Sequence, residues 1–180
     1  MKRICVFCGS SSGKSPIYLE SAKKLGKLIA QNGFELVYGG ASIGVMGAIA
    51  DAALENGGKV IGVMPSHLID WEVSHKGLTE FISVDSMHER KEKMYELSDY
   101  FVSLPGGMGT LDEMCEIITW AQLKLHQKHT WLVDVNGFYK GLWAHFEHAI
   151  EEGFIRASDK NFISFVASED ELIEQIKSYE

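Results

Sequence analysis

A glycine-rich loop followed by carboxylates is the feature of this 180-residue sequence that most directly indicates chemistry. Residues 104–113 read Leu-Pro-Gly-Gly-Met-Gly-Thr-Leu-Asp-Glu. Glycines let the backbone approach a ligand closely, and a helix that begins here aims its free N–H groups into the same space. The segment therefore predicts a site for an anion the size of a monophosphate. Interaction with the helix dipole is reason enough for Asp112, whereas Glu113 lies where a carboxylate can act on the bound molecule.

A second segment, Met87-His88-Glu89-Arg90-Lys91, places cations at the start of a predicted helix. The helix dipole disfavours positive charge at that end, so stability alone gives a weak reason for them. A phosphate partner gives a better reason, because the planar guanidinium of Arg90 can donate two parallel hydrogen bonds. The alternative is an ordinary solvated, charged helix face.

Two further glycine-rich turns carry weaker signals. Residues 8–15 (Cys-Gly-Ser-Ser-Ser-Gly-Lys-Ser) resemble a Walker phosphate loop but are one residue too short, so either a polar turn or contacts to one phosphate or sugar fit. The pattern Gly39-x-Ala41-x-x-Gly44 resembles a dinucleotide fingerprint loosely. It follows the second strand instead of the first, and no acidic residue ends the next strand. Tight packing of strand against helix explains these glycines equally well.

Composition narrows the remaining classes. The formal charge of −8 argues against a general partner for nucleic acid or anionic membranes. Cys5-x-x-Cys8 lies in a predicted strand, whereas a redox motif of this spacing opens a helix, so we expect these cysteines in the core. The sequence contains no zinc-binding motif, and we expect neither a metal nor a cofactor. Three cysteines and the lack of a signal or membrane-spanning run predict a cytoplasmic protein. We expect a set of aromatic residues to form core or a subunit interface: Trp120, Trp131, Phe138, Trp143 and Phe146.

Short apolar segments alternate with segments of helical period along the whole chain. The predicted strands are residues 4–7, 34–38, 60–64, 81–84, 100–104, 131–135 and 162–166. The predicted helices follow Ser15 and Ser168 and cover 44–56, 87–97, 110–127 and 138–152, with 66–79 irregular. This alternation predicts one α/β domain over residues 1–180, with a doubly wound parallel sheet of about seven strands and helices on both faces. Ligands of such sheets bind at the carboxyl ends of the strands, where the glycine-rich turns fall.

These motifs resemble those of the LONELY GUY (LOG) family. Residues Pro105 to Glu113 match its PGGxGTxxE motif, and Met87 to Lys91 match its MHxRK segment. The segments 119–122, 38–40 and 8–11 also look like family features, and the resemblance covers nearly the whole chain. Met108 stands where plant members commonly have Tyr, outside the fixed positions.

The resemblance implies a Rossmann-like homodimer that hydrolyses the N-glycosidic bond of adenosine or cytokinin riboside 5′-monophosphates, releasing the free base and ribose 5-phosphate. It points to Arg90 and Glu113 as the catalytic pair. The implied substrate contacts are Glu72, Arg90, Lys91, Gly106, Gly107, Met108, Gly109, Thr110, Leu111, Asp112 and Thr119. Family members are often labelled lysine decarboxylases, but nothing in the sequence resembles a pyridoxal phosphate site. The alternatives are a nucleotide or cofactor carrier of the same fold and a dinucleotide oxidoreductase.

Overall fold

Seven parallel strands form one sheet in the computed structural model of the chain, which describes residues 1–69 and 74–179. The strands are β1 (Arg3–Phe7), β2 (Glu35–Tyr38), β3 (Val60–Pro65), β4 (Glu80–Val84), β5 (Tyr100–Ser103), β6 (Thr130–Val133) and β7 (Ile163–Val166). Their order across the sheet is β4-β3-β2-β1-β5-β6-β7. The chain thus builds outward from β1 to β4 and then continues on the other side of β1. The predicted doubly wound parallel sheet is confirmed.

Six helices cover the two faces of the sheet in the described part of the chain. They are α1 (Ile17–Gln31), α2 (Gly44–Glu55), α3 (Met87–Leu97), α4 (Met108–Gln122), α5 (Lys140–Glu151) and α6 (Glu169–Ser178). The apolar faces of α1, α2 and α6 pack in one core cluster, and those of α3 and α4 pack in the other. Strands enclosed on both sides are apolar along their length, which is why β1, β2 and β3 appear in the sequence as continuous apolar runs.

The predicted end of α4 is wrong by five residues, because the helix stops at Gln122 and not at residue 127. Lys124 adopts φ 60° there, and its N–H donates to Ala121 O while the N–H of Leu125 donates to Trp120 O. This pair of bonds is the Schellman arrangement that ends many helices, usually with glycine at the left-handed position. Because Lys124 and not glycine occupies this position, the sequence did not indicate that the helix ends here.

The carboxyl ends of β1 and β5 lie side by side at the point where the strand order reverses. Phe7 pairs with Ser103 in the sheet, and the loops that follow are tied together by a bond from Gly9 N to Pro105 O of 3.2 Å. A crevice at such a reversal is the usual ligand site of an open α/β sheet. None of the helices in the described part of the chain has the length and apolar character that a membrane-spanning segment requires.

Candidate active site

A cavity of about 420 Å³ opens at the carboxyl ends of β1 and β5. This volume lies within the range of small-molecule sites. Two glycine-rich loops, one charged pair and a set of apolar side chains line it. Those lining residues are Cys8–Gly13, Tyr18, Val45, Met46, Leu68, Met87, Arg90, Pro105–Thr110, Glu113 and Phe138.

The loop after β5 turns into α4 with its amides directed at the cavity. Gly107 is the N-cap, and the first intrahelical bond runs from Leu111 N to Gly107 O at 3.2 Å. The N–H groups of Met108, Gly109 and Thr110 precede that bond and have no partner inside the helix. At Gly106 a Cβ would collide with the Thr110 hydroxyl and lie 2.8 Å from Gly9 N, so only glycine fits. The predicted anion site therefore has the donors and the space that it needs.

Glu113 lies on the buried face of α4. That face recurs at helical spacing, and its other members are Thr110, Met114, Ile117, Ile118 and Ala121. A carboxylate in such a row is costly to bury unless it is paired. Glu113 is 5% exposed and lines the cavity one turn beyond the free amides. The structure thus brings the predicted catalytic carboxylate beside the predicted anion site.

Arg90 is the partner of Glu113. Its Nη1 lies 3.2 Å from Glu113 Oε1, and both side chains are almost fully buried. The Nε–H donates to Val63 O at 3.0 Å, and Nη2 donates to Gly39 O at 3.4 Å. The guanidinium is therefore held by a carbonyl of β3 and by the residue that follows β2. For Arg90 the alternative of a solvated helix face is wrong, because Arg90 and Met94 are the buried residues of α3.

Lys91 lies outside the cavity lining and joins α3 to α4. Its Nζ is 3.1 Å from Asp112 Oδ2 and 3.0 Å from Glu116 Oε2. Burial lowers the pKa of this ammonium, but hydrogen bonds to the two carboxylates outweigh that effect and the pKa of Lys91 is raised. Lys91 and Asp112 thus brace the start of α4, the helix that carries the predicted anion site.

Thr119 also lies away from the cavity lining. It is exposed on α4, and its hydroxyl donates to Cys115 O at 2.7 Å. A helix rises about 1.5 Å per residue, which places Thr119 roughly 16 Å along the axis from Met108, the first residue of α4. Leu111 is part of that first turn but does not line the cavity. Glu72 lies outside the described residues.

The serine-rich loop after β1 lines the cavity beside the α4 loop. Residues 9–13 line the cavity, so the reading in which this loop contacts a phosphate or sugar fits their position. Gly44 has φ 61°, and a Cβ there would collide with the backbone of Ser10. Close packing of α2 against this loop therefore explains Gly44 without a dinucleotide.

Cys5 and Cys8 are free and buried, as the core interpretation requires. Burial is the largest cause that raises the pKa of each thiol, and the charge of Glu113 adds to it. Cys8 lines the cavity, but a thiol whose pKa is raised in this way is a poor nucleophile. Neither cysteine has the environment of a redox centre.

The apolar end of the cavity was missed by sequence reasoning. Phe138 and Tyr18 line it and pack edge to face with their ring centroids 5.9 Å apart. We expected both Phe138 and Trp131 in the core or a subunit interface. Trp131 is in the core at 0% exposure, whereas Phe138 lines the cavity. Phe138 comes five residues after the end of β6, at the same sheet edge as the glycine loops. This position shortly after a strand was the signal in the sequence that could have predicted Phe138 as a lining residue.

Comparison of the sequence with known proteins identifies its family. A family model described as possible lysine decarboxylase matches residues 46–176. A rice (Oryza sativa subsp. japonica) relative named probable cytokinin riboside 5′-monophosphate phosphoribohydrolase LOGL2 is 45% identical over 178 residues, which cover 99% of this chain and 73% of the relative. The Arabidopsis thaliana enzyme of that name, LOG7, is 44% identical over 179 residues, covering 99% of this chain and 82% of the relative.

Solved structures share the fold. The molybdenum cofactor binding protein from Rippkaea orientalis superposes with a TM-score of 0.75 at 25% identity, covering 99% of this chain and 98% of that one. The molybdenum cofactor carrier protein from Chlamydomonas reinhardtii gives 0.75 at 24% identity, covering 98% and 96%. Over a similar share of the chain, the plant relatives are 44–45% identical and these two solved proteins 24–25%. With the matching motifs at the cavity, the identities over nearly the full chain establish that this chain belongs to the LONELY GUY family.

Proposed function

We propose that this chain hydrolyses the N-glycosidic bond of adenine-type nucleoside 5′-monophosphates, giving the free base and ribose 5-phosphate. One observation carries the proposal: the buried carboxylate of Glu113 lines the same cavity as the free amides of residues 108–110. A phosphate held at the helix start places the attached ribose within reach of that carboxylate. The curated relatives carry the name of this activity.

The chemistry needs negative charge near C1′ of the ribose. As the bond to the base breaks with its electron pair leaving on the base nitrogen, positive charge develops on the ribose. The carboxylate of Glu113 stabilises that charge and orients the water that adds its oxygen to C1′. The water loses one proton as its oxygen bonds to C1′, and the departing base nitrogen gains one proton, which gives ribose 5-phosphate and the free base. Glu113 therefore acts only once the sugar is positioned by its phosphate.

Arg90 keeps this carboxylate charged and in place. Its Nη1 pairs with Glu113 Oε1 while its Nε and Nη2 donate to Val63 O and Gly39 O. An opposite charge at that distance favours the ionised form of a buried carboxyl group. We propose Arg90 and Glu113 as the catalytic pair.

Binding energy from the phosphate explains how an acidic protein takes an anionic substrate. We propose that Gly106, Gly107, Met108, Gly109 and Thr110 hold the phosphate, with the adjacent serine-rich loop as a further part of the lining. Leu111, Asp112 and Lys91 complete and brace the first turn of α4 beneath it. Glu72 remains a proposed substrate contact.

The apolar end of the cavity is the proposed site of the base. Aromatic and aliphatic side chains bind a base and its substituents through shape and stacking. Both plain adenine and an adenine with an apolar substituent fit such surroundings.

We further propose a homodimer that explains Thr119. Exposed side chains follow one another three or four residues apart along α4, at Met108, Asp112, Cys115 and Thr119, and the C-cap Leu123 continues the row. Two such helices packed antiparallel about a two-fold axis bring the partner's Thr119 towards the start of α4. The variant Thr119→Arg should then sediment as a monomer and bind AMP more weakly. A Thr119→Arg protein that keeps the wild-type mass and affinity would contradict this dimer.

The label of the family model fits this cavity poorly. Pyridoxal phosphate enzymes hold their cofactor as a Schiff base on a lysine. No lysine lines the cavity in the described part of the chain. We propose a reaction that needs neither metal nor organic cofactor, in a cytoplasmic protein whose three cysteines are free thiols.

A second candidate is a carrier that binds its ligand without cleaving it. The solved molybdenum cofactor carrier and binding proteins of the same fold favour it. Binding an anion without cleaving it gives no reason to bury a carboxylate beside the anion site. Glu113 and its partner Arg90 therefore favour the hydrolase.

Chromatography of the free base tests the proposal. Wild-type protein, without added metal or cofactor, is incubated with AMP, isopentenyladenosine monophosphate and the two corresponding nucleosides, and Glu113→Ala is the control. We expect base and ribose 5-phosphate from the monophosphates alone, with none from the variant. Tight binding of AMP with every substrate left intact would instead establish the carrier.

A further inference from the structure

We propose that Gly39 is a positioning residue for catalysis. Because glycine has no side chain, it leaves free the space that the guanidinium of Arg90 occupies. The proposal rests on the proposed function and extends its machinery to the turn after β2. That turn resembles part of a dinucleotide fingerprint in the sequence, yet Gly39 is not among the residues that line the cavity. The structure assigns it a different task.

Arg90 occupies the volume that any larger residue at position 39 would need. A Cβ on Gly39 would overlap Arg90 Nη2, and it would lie 3.3 Å from Arg90 Cζ and 2.9 Å from Met46 Sδ. The carbonyl of Gly39 also accepts the bond from that same Nη2, at 3.4 Å. Gly39 thus both leaves the space for the guanidinium and binds it.

Backbone conformation gives no other reason for glycine at this position. Gly40 has φ 85°, in the left-handed region, but Gly39 is not among the positive-φ glycines of the described residues. Alanine can therefore adopt the conformation of residue 39. The cost of alanine arises from contact with two side chains and not from the main chain.

The rigid guanidinium transmits a displacement at Nη2 to Glu113. Nη1 and Nη2 belong to one planar group, whose Nε is fixed on Val63 O at 3.0 Å. A methyl group that pushes Nη2 away must rotate or shift this plane, which moves Nη1 from its 3.2 Å contact with Glu113. Misplacement of a catalytic group by about 1 Å can cost on the order of 100-fold in rate. We therefore expect Gly39→Ala to lower kcat at least tenfold with little change in KM.

The test is a double-mutant cycle of Gly39→Ala and Arg90→Lys. Lysine lacks the Nη2 branch, so the added methyl group meets far less in the Arg90→Lys background. We expect the double variant to have the kcat of Arg90→Lys alone. Gly141→Ala is the matched control, because a Cβ there meets nothing within 4 Å and its φ is not positive; it should keep wild-type kcat.

Two results would overturn the proposal: a Gly39→Ala kcat within twofold of wild type, or losses that multiply in the double variant. If Gly39→Ala fails to fold, a folded double variant supports the clash with Arg90, whereas two unfolded proteins contradict it. Wild-type protein that releases no base refutes the proposed function instead. In that case the free energy of unfolding is measured for the wild type, the two single variants and the double variant. Non-additive losses support the contact between residues 39 and 90, and additive losses refute it.

Discussion

Arg90 on α3 and Glu113 on α4 form an ion pair of 3.2 Å in which both side chains are almost fully enclosed by protein. Each residue stands on the buried face of its helix, where an apolar side chain would serve stability equally well. Taking two charges out of water costs several kcal/mol per ion, and their attraction offsets this only with good geometry. A pair of this kind beside a cavity is the expected arrangement when a carboxylate must stay charged for chemistry.

Phe138 should contribute to binding of the base. Truncation to alanine removes one wall of the apolar end of the cavity, so we expect KM for AMP to rise roughly tenfold. Initial rates of base release give this value, and Phe154→Ala is the control because Phe154 is 88% exposed. Equal KM values for Phe138→Ala and wild type would contradict the proposal that the base binds at this end of the cavity.

Stability should fall in mild acid because of His129. This imidazole is enclosed between Trp131 and Tyr179, and burial lowers its pKa to about 4, although a hydrogen bond involving the backbone of Asn161 opposes the shift. Between about pH 6 and pH 4 the unfolded chain binds a proton here that the folded chain does not. The folded state therefore loses about 1 kcal/mol per pH unit as the pH falls through this window.

Urea unfolding at several pH values measures this loss. We expect a smaller decline for His129→Gln than for wild type below pH 6, and parallel behaviour between pH 7 and pH 8, where the imidazole is neutral in both states. An equally steep decline in the variant would assign the acid sensitivity to other groups.

Ser103 should be replaceable without loss of stability. Its hydroxyl is fully buried and has no hydrogen-bond partner among the described residues. Ser103→Ala removes an unsatisfied polar group, so the free energy of unfolding should stay equal or rise by up to about 1 kcal/mol. Ser98→Ala is the matched control, since the buried Ser98 hydroxyl donates to Met94 O at 2.8 Å and its loss should cost about 1 kcal/mol. A clear loss from Ser103→Ala would point to a partner such as bound water.

Glycine should stabilise the end of α4. Lys124 holds φ 60° at the position where the Schellman arrangement favours glycine, so Lys124→Gly relieves backbone strain. We expect a gain of roughly 0.5–1 kcal/mol in the free energy of unfolding. Lys124→Ala removes the side chain and keeps the strain, so it should give no gain. Equal gains from both variants would attribute the effect to the side chain.

Much of the fold was predictable because strands buried on both faces leave continuous apolar runs, and α3 was predicted with its observed bounds. The glycine loop and Glu113 could also be identified as a candidate site, since few alternatives explain three glycines followed by a carboxylate. Arg90 was ambiguous, because a charged helix segment does not show which of its cations faces inward. Phe138 and the seat of Arg90 on Gly39 depend on contacts between segments far apart in sequence, which periodicity does not report.

The most direct test of the central claim is the Glu113→Gln variant with AMP as substrate. Glutamine keeps the size of the side chain and removes its charge. We predict that kcat falls at least 100-fold, because one such electrostatic group is usually worth 10² or more, while AMP still binds through the α4 loop. Calorimetric binding and base release on the same preparation measure both quantities. A variant that keeps more than about a tenth of the wild-type kcat would contradict the role of the Glu113 charge.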